Sequence, residues 1–359
     1  MTSRRKRIAI LGAGAVGGYV GGHLARAGED VCLIDPWPEH VDTINATGLR
    51  LEGTQGEHVV RVKALHLEAM QALSRAPVDI AILCTKSFDT EWATYAMAQY
   101  LAPDGFIVSM QNGMNEEQIA AVAGAERTVG CIVSTISVNC YAPGRIKRFQ
   151  QPGGSKHTVF RVGELHGRNT DRASQLANIL GQVDSSAVTP DLWGERWTKL
   201  ATNSITHGIL GATGLDNRSV YLERGTAHRL GLKLAGEAVA VGRALGYQIG
   251  TILGLQPDDW FAAANDDVSA LETVRAGLAE WMTTLIEPSQ SSVGRDVTRG
   301  RRSEVEYTNG LIAAKGAEVG VPAPTHAALT EIVRRIDRGV LQPDPANIEG
   351  VLPADAERP

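Results

Sequence analysis

The feature that most constrains this chain is the run Gly12-Ala13-Gly14-Ala15-Val16-Gly17, set between an apolar segment and a helical one. Arg7 to Leu11 reads as a short strand, Ala15 to Ala27 as a helix closed by Gly28, and Asp30 to Ile34 as a second strand. The run therefore opens the helix of a βαβ unit, where it can hold a dinucleotide. Gly12 permits the tight turn, Gly14 lets backbone approach a pyrophosphate, and Gly17 allows close helix packing. Ala13, Ala15 and Val16 complete the cradle, because a helix amino terminus offers N–H groups and a positive dipole end to phosphates. The further glycines Gly18, Gly21 and Gly22 are read as places where the helix packs tightly on a sheet.

Asp35 follows the second strand, 23 residues after Gly12. That is near the ~20-residue offset of a carboxylate that hydrogen-bonds the adenosine ribose. A 2′-phosphate would meet the charge of Asp35, and the turn Asp35-Pro36-Trp37-Pro38 has no arginine to receive it. NAD(H) is expected in preference to NADP(H). The alternative for Asp35 is a simple turn cap.

Composition narrows the class. The 359 residues, 43% apolar and 21% charged, are enough for two cores. A net charge of −5 gives no electrostatic reason to expect nucleic acid, and Arg4-Arg5-Lys6-Arg7 reads as a solvated lead-in to the first strand. No run approaches the ~18–20 apolar residues of a membrane span, and the opening residues lack a signal-peptide pattern, so a cytoplasmic protein is expected. Cys32, Cys84, Cys131 and Cys140 lack CxxC spacing and read as reduced thiols; the nine histidines lack HxH or HExxH clustering, so no metal is expected.

Further apolar runs at Asp79 to Cys84, Phe106 to Met110 and Val129 to Thr135 extend an α/β, doubly wound Rossmann sheet. Cys140 to Val162, broken by Pro143-Gly144 and Pro152-Gly153-Gly154, looks like antiparallel additions to it. After Pro190 helical periodicity takes over at Leu192 to Leu210, Ala227 to Leu245, Ala270 to Leu285 and Arg302 to Val319. The expected division is a Rossmann domain over 1–190, a mostly α-helical domain over 191–340, and a mobile, proline-rich acidic tail over 341–359.

Three later motifs, CTKSFDT at 84–90, QNGMN at 111–115 and WTKLATN at 197–203, together with SSVGRDVTRGRRSEVEYTNG at 291–310, resemble the ketopantoate reductase (2-dehydropantoate 2-reductase) family over roughly residues 7 to 330. The resemblance implies that Lys199 is the catalytic lysine and that Glu304 organises substrate and cofactor. It places Lys86 and Asn112 along the cofactor, and Asn203, Ser292 and, on poorer neighbours, Asn217 along the substrate. Two departures stand out. The family usually has a basic residue where this chain has Asp35, reflecting NADPH use, and tends to have asparagine where this chain has His207.

Reducing a ketone requires a hydride donor, a proton donor and a group for the substrate carboxylate. Residues four apart share a helix face, so Lys199, Asn203 and His207 can form one substrate wall. By spacing alone Lys199 would be a surface residue; the accompanying motifs reverse that reading. His207 stands level between pocket residue and packing residue. Trp193 and Trp197 read as domain-interface packing, and Arg295, Arg299, Arg301 and Arg302 as either an anion site or a solvated helix entrance.

The expected activity is hydride transfer between NAD(H) and a 2-oxo or 2-hydroxy acid such as ketopantoate or pantoate. An NAD-linked catabolic dehydrogenase acting on another hydroxy compound is the second reading, supported by Asp35 and His207. A non-catalytic dinucleotide sensor is the third, and Lys199 with Glu304 weigh against it. A methyltransferase would leave the later motifs unexplained. A homodimer is expected, although no stripe of the sequence marks its interface.

Overall fold

The computed structural model describes residues 5–283 and 290–352. It divides into two compact units between Leu192 and Trp193, beside the boundary read at residue 190. Among the described residues the first unit contains twelve strands: β1 (Arg7–Leu11), β2 (Asp30–Asp35), β3 (Leu49–Gly53), β4 (His58–Val60), β5 (Lys63–His66), β6 (Val78–Leu83), β7 (Leu101–Ser109), β8 (Thr128–Val133), β9 (Val138–Ala142), β10 (Arg145–Arg148), β11 (Phe160–Glu164) and β12 (Ser186–Val188).

Eight of these form the main sheet in the order β12-β11-β8-β7-β6-β1-β2-β5. The six strands from β8 to β5 are mutually parallel and follow the order of a dinucleotide-binding sheet, with the strand order turning back between β1 and β6. Both faces are covered, which is why these strands read as unbroken apolar runs. Alternation divides the runs between two cores: Ile8, Ile10, Leu33, Ile80 and Ile82 lie on one side, and Ala9, Leu11, Ile34, Ala81 and Leu83 on the other.

The segment expected to add antiparallel strands to this sheet behaves differently in part. β11 does join it, antiparallel to β8, but β9 and β10 form a hairpin in a second sheet of order β4-β3-β10-β9. The helix Ala15–Arg26 explains why a second sheet can exist here. A Cβ on Gly21 would lie 2.5 Å from Leu33 Cδ2, against the main sheet. One on Gly18 would lie 2.5 Å from Ile146 Cδ1, and one on Gly22 would lie 2.9 Å from Leu49 Cδ2, both against the second sheet. The helix thus has two side-chain-free faces and lies between two sheets. On β10, buried Arg148 also reaches Asp184 at 2.6 Å, tying the small sheet to the segment before β12.

The second unit is built from helices Leu192–Thr213, Asn217–Tyr221, Thr226–Ala244, Pro257–Ala264, Val268–Thr283, Ser292–Thr298, Asn309–Glu318 and Pro324–Asp337. The expected end of one helix at Leu285 lies outside the described residues. The helix expected from Arg302 begins only at Asn309, because Ser303 is held by Asp337 and the Thr308 hydroxyl bonds the Glu304 and Val305 carbonyls. Trp197 belongs to this unit's own core: it is fully buried and its indole donates to Ala238 O at 2.9 Å.

The stretch expected as a mobile tail has structure through its first part. A 3₁₀ turn, Pro345–Ile348, buries Ile348, while Asp344 N–H and Asn347 Nδ2 both donate to Ala212 O near the end of helix Leu192–Thr213. Those donors cap a carbonyl that the helix leaves unbonded. Residues 353–359 of that stretch lie outside the described residues. Among the described residues no helix is long and apolar enough to cross a membrane.

Gly18→Val is expected to lower the stability of the first unit by about 1–3 kcal/mol through overpacking, outweighing the roughly 0.3–0.5 kcal/mol that helix propensity returns. The check is the shift of its urea midpoint; an unchanged or raised midpoint would show that the helix has room to move.

Candidate functional site

The glycine-rich loop leaves β1 with Gly12 at φ +96°, a conformation that side chains resist. A Cβ there would also lie 2.7 Å from the Cys84 carbonyl carbon. Gly12 therefore lets the end of β1 press against the loop after β6, where Cys84 N–H donates to Leu11 O. Gly14 is the opposite case, since a Cβ on it would meet nothing within 4 Å. The side of Gly14 that a side chain would occupy is open, at the amino terminus of helix Ala15–Arg26, whose first turn has no acidic side chain. A phosphate fits this cradle on both counts, backbone access and dipole sign.

Ala13 is buried, and Ala15 and Val16 are half-buried in the first turn. A Cβ on Gly17 would lie 2.0 Å from Gly12 O, so no larger residue could close this turn. Asp35 ends β2, with Gly12 N–H bonded to the neighbouring Ile34 O. The carboxylate is buried and its Oδ1 accepts Trp37 N–H at 2.9 Å. The turn-cap reading of Asp35 thus describes one of its contacts.

Lys86 and Asn112 lie half-buried on the loops after β6 and β7. These loops are locked together by residues to which the sequence reading assigned no role. The Gln111 amide donates to Thr85 O, Lys86 O and Thr90 Oγ1, while the Ser87 hydroxyl and the Asn115 amide both donate to Asn112 O. The amides sit inside the quoted QNGMN motif, so the signal was present, but their direction depends on the fold.

In the second unit the helix Leu192–Thr213 carries Lys199, Asn203 and His207 one turn apart. Lys199 and Asn203 are half-buried and His207 is buried. Ser292, opening helix Ser292–Thr298, brings its hydroxyl to 3.5 Å from His207 Nε2. Two residues chosen for the substrate side, far apart in sequence, therefore meet. Asn217 is buried at the start of its own short helix, behind the cap formed by Asp216.

Glu304 is buried and held from both sides of its sequence. Ser303 donates through N–H and hydroxyl to Asp337, and Glu306 is gripped by two Arg334 nitrogens at 2.6 and 2.9 Å. Of the four arginines, Arg295 is half-buried with its guanidinium donating to Gln290 O, and burial lowers its pKa; Arg299, Arg301 and Arg302 are exposed.

A buried polar relay supports the same helix. Asn309 Nδ2 donates to Ser204 O at 3.0 Å and lies 3.2 Å from His326 Nδ1, while His326 Nε2 lies 3.0 Å from Leu234 O. Glu237 accepts the backbone N–H groups of Thr325 and His326. Neither Asn309 nor His326 stood out in the sequence as a support, because the relay joins elements distant in the chain. Among the described residues no cluster of histidine, cysteine and carboxylate side chains could hold a metal ion, and the four cysteines form no disulfide.

Two family models match the chain: "Ketopantoate reductase PanE/ApbA" over residues 8–159 and "Ketopantoate reductase PanE/ApbA C terminal" over residues 191–337. A 2-dehydropantoate 2-reductase of Pyrococcus horikoshii is 28% identical, covering 91% of this chain and 96% of its own. A PanE/ApbA family ketopantoate reductase from Ralstonia eutropha superposes with a TM-score of 0.75 at 28% identity, over 93% of this chain and 99% of that one. D-mandelate dehydrogenase, in a ternary structure with NADH and anilino(oxo)acetate, gives the same TM-score of 0.75 at 21% identity, over 93% and 99% of the two chains, and shares the fold.

His326 generates a pH prediction. Burial lowers its pKa from 6.5 to about 4. Below about pH 6.5 the unfolded chain takes up a proton that the folded one refuses. This contribution is therefore complete above pH 6.5 and is lost on acidification toward pH 4, amounting to about 3 kcal/mol. Urea unfolding of the wild type and His326→Asn across this range should show the variant losing one proton's worth of slope; equal slopes would mean that His326 titrates normally.

Proposed function

Because this chain belongs to the ketopantoate reductase family, we propose that it is an NAD(H)-dependent enzyme interconverting a 2-oxo acid and its 2-hydroxy acid, with ketopantoate and pantoate as the first pair to test. Membership carries the coarse chemistry: the protein is an oxidoreductase acting on a CH–OH group with a nicotinamide dinucleotide. The observation supporting the finer reading is the stripe Lys199, Asn203 and His207 on one helix, with Ser292 beside its last residue.

In this reading the backbone of Gly12 to Gly17 holds the pyrophosphate, Asp35 takes the adenosine ribose, and Lys86 and Asn112 line the cofactor. The bound dinucleotide supplies the hydride that arrives at the carbonyl carbon. The chain supplies the proton and the grip on the acid. Lys199 Nζ gives its proton to the carbonyl oxygen as the C=O bond becomes C–OH, and takes it back in oxidation. Asn203 donates to the same substrate through its amide, Ser292 through its hydroxyl, and Asn217 serves on that side as well. Glu304, fixed by the Ser303 and Glu306 anchors, orients the reacting groups.

Asp35 supports NAD(H) over NADP(H), because a 2′-phosphate would bring negative charge against a buried carboxylate. His207 supports a second substrate reading, in which the acid is other than ketopantoate. An imidazole where the family tends to have asparagine changes the pocket's size and donor pattern. D-mandelate dehydrogenase shares only the fold, so mandelate enters the test as a panel member.

Initial rates with ketopantoate and NADH are expected to exceed those with NADPH, and pantoate with NAD should run in reverse. Efficient turnover with NADPH alone would overturn the cofactor assignment; NADH binding without turnover would move the substrate to another acid of the panel. Lys199→Ala should lower kcat by roughly 10²–10⁴-fold with the fold intact. Normal turnover in that variant would refute the lysine's role.

A further inference from the structure

We infer that His40, braced by Trp37, is a positioning residue for the dinucleotide: it holds the Ala13 carbonyl away from the ligand and so aims the Gly14 N–H at the phosphates. The inference rests on the dinucleotide reading above and assigns a task to a side chain that the glycine motif does not contain.

His40 is wholly buried in helix Pro38–Thr47, directly after the turn that bears Asp35. Gly144 N–H, in the β9–β10 hairpin, donates to its Nδ1 at 2.9 Å, so Nδ1 is an acceptor and the ring proton sits on Nε2. Nε2 lies 2.9 Å from Ala13 O and donates to it. Cys140 Sγ lies 3.9 Å from Nδ1, on the side already occupied by the Gly144 contact. The Trp37 ring lies parallel to the imidazole, 7° from coplanar with centroids 5.3 Å apart, and Trp37 N–H is the group that Asp35 Oδ1 accepts.

These contacts form one chain from carboxylate to glycine loop: Asp35, Trp37, His40, Ala13. Its effect follows from peptide geometry. In a trans peptide the C=O of one residue and the N–H of the next point in opposite directions. Drawing Ala13 O toward His40 turns Gly14 N–H the other way, and with no atom within 4 Å of where a Gly14 Cβ would lie, a ligand can come close to that backbone. Without the imidazole, that peptide could rotate and present its oxygen to the phosphates, where an anion would be repelled. The Trp37 stack keeps Asp35 in step with the loop, so the ribose and pyrophosphate contacts are set together.

Two substitutions separate the two hydrogen bonds. Gln reaches the Nε2 position with an amide nitrogen and can keep the Ala13 bond; Asn places an oxygen near Nδ1 and keeps only the Gly144 bond. NADH titrations followed by nicotinamide fluorescence should give His40→Asn a Kd raised roughly tenfold, as expected for one lost ligand-orienting hydrogen bond, and His40→Gln a Kd within about threefold of wild type. At saturating NADH kcat should be preserved in both. Equal affinities in all three proteins, or equal losses in the two variants, would overturn the inference. Should either variant fail to fold, ¹⁵N-histidine spectra of the wild type decide: His40 must be the Nε2–H tautomer, and an Nδ1–H tautomer would overturn the brace. A wild type that binds neither NADH nor NADPH would refute the cofactor reading instead, with the tautomer still deciding on the brace.

Discussion

The first unit depends on a helix that can be approached closely from two sides. Most helices that cover a parallel sheet bury one stripe and show the other to water. Helix Ala15–Arg26 has no side chain at Gly17 and Gly21 on the side of the main sheet, and none at Gly18 and Gly22 on the side of the small one. The cradle is one product of this arrangement, because the helix start is held close to the strand it follows. The second sheet is another, because its strands β3 and β10 bring Leu49, Leu51 and Ile146 to the helix's outer face. The hairpin that carries Gly144 is therefore near enough for His40 to touch both it and the glycine loop.

The second unit works on a different principle. Its long helix is surrounded by partners that bond to its backbone or fill the grooves at its glycines. Asn309 holds Ser204 O, while Gly208 and Gly211 admit Leu329 and Val333 of helix Pro324–Asp337. A stripe of polar residues on such a helix keeps its direction because Ser204 and Gly208, on other rows of the helix, and Gly211, one turn beyond His207, are all engaged by neighbouring elements. Rigid support of this kind lets a few half-buried side chains act from defined positions.

Much of this was legible in the chain. The βαβ start, five of the six parallel strands and four of the second unit's helices follow from apolar runs and periodicity, and the glycine fingerprint located its own turn; β5, only four residues long, and helix Pro324–Asp337 were not read. The family motifs brought Ser292 to the same neighbourhood as His207, which spacing alone could not have done. What stayed hidden shares a physical character. The small sheet joins two local hairpins, β3–β4 and β9–β10, through the pairing of β3 with β10, segments about a hundred residues apart. The supports formed by His40, Gln111, Asn309 and His326 are single polar side chains whose partners are backbone groups of distant elements. A lone histidine in a helix has no periodicity to betray it. Trp197 was assigned to an interface for a similar reason, since its size marks burial but not the surface against which it is buried.

The capping of Ala212 by Asp344 and Asn347 has a consequence for how the chain is made. The Asn347 contact spans 135 residues of sequence, and it closes the end of the helix that bears the polar stripe. A polypeptide leaves the ribosome amino end first, so that helix emerges long before its cap exists. The Rossmann unit can complete its sheet during synthesis, whereas this helix gains its cap only after residues 344–347 have emerged. Assembly during synthesis is therefore ordered: the Rossmann half can form early, and the helix bearing Lys199 waits for Asp344 and Asn347 to close its end.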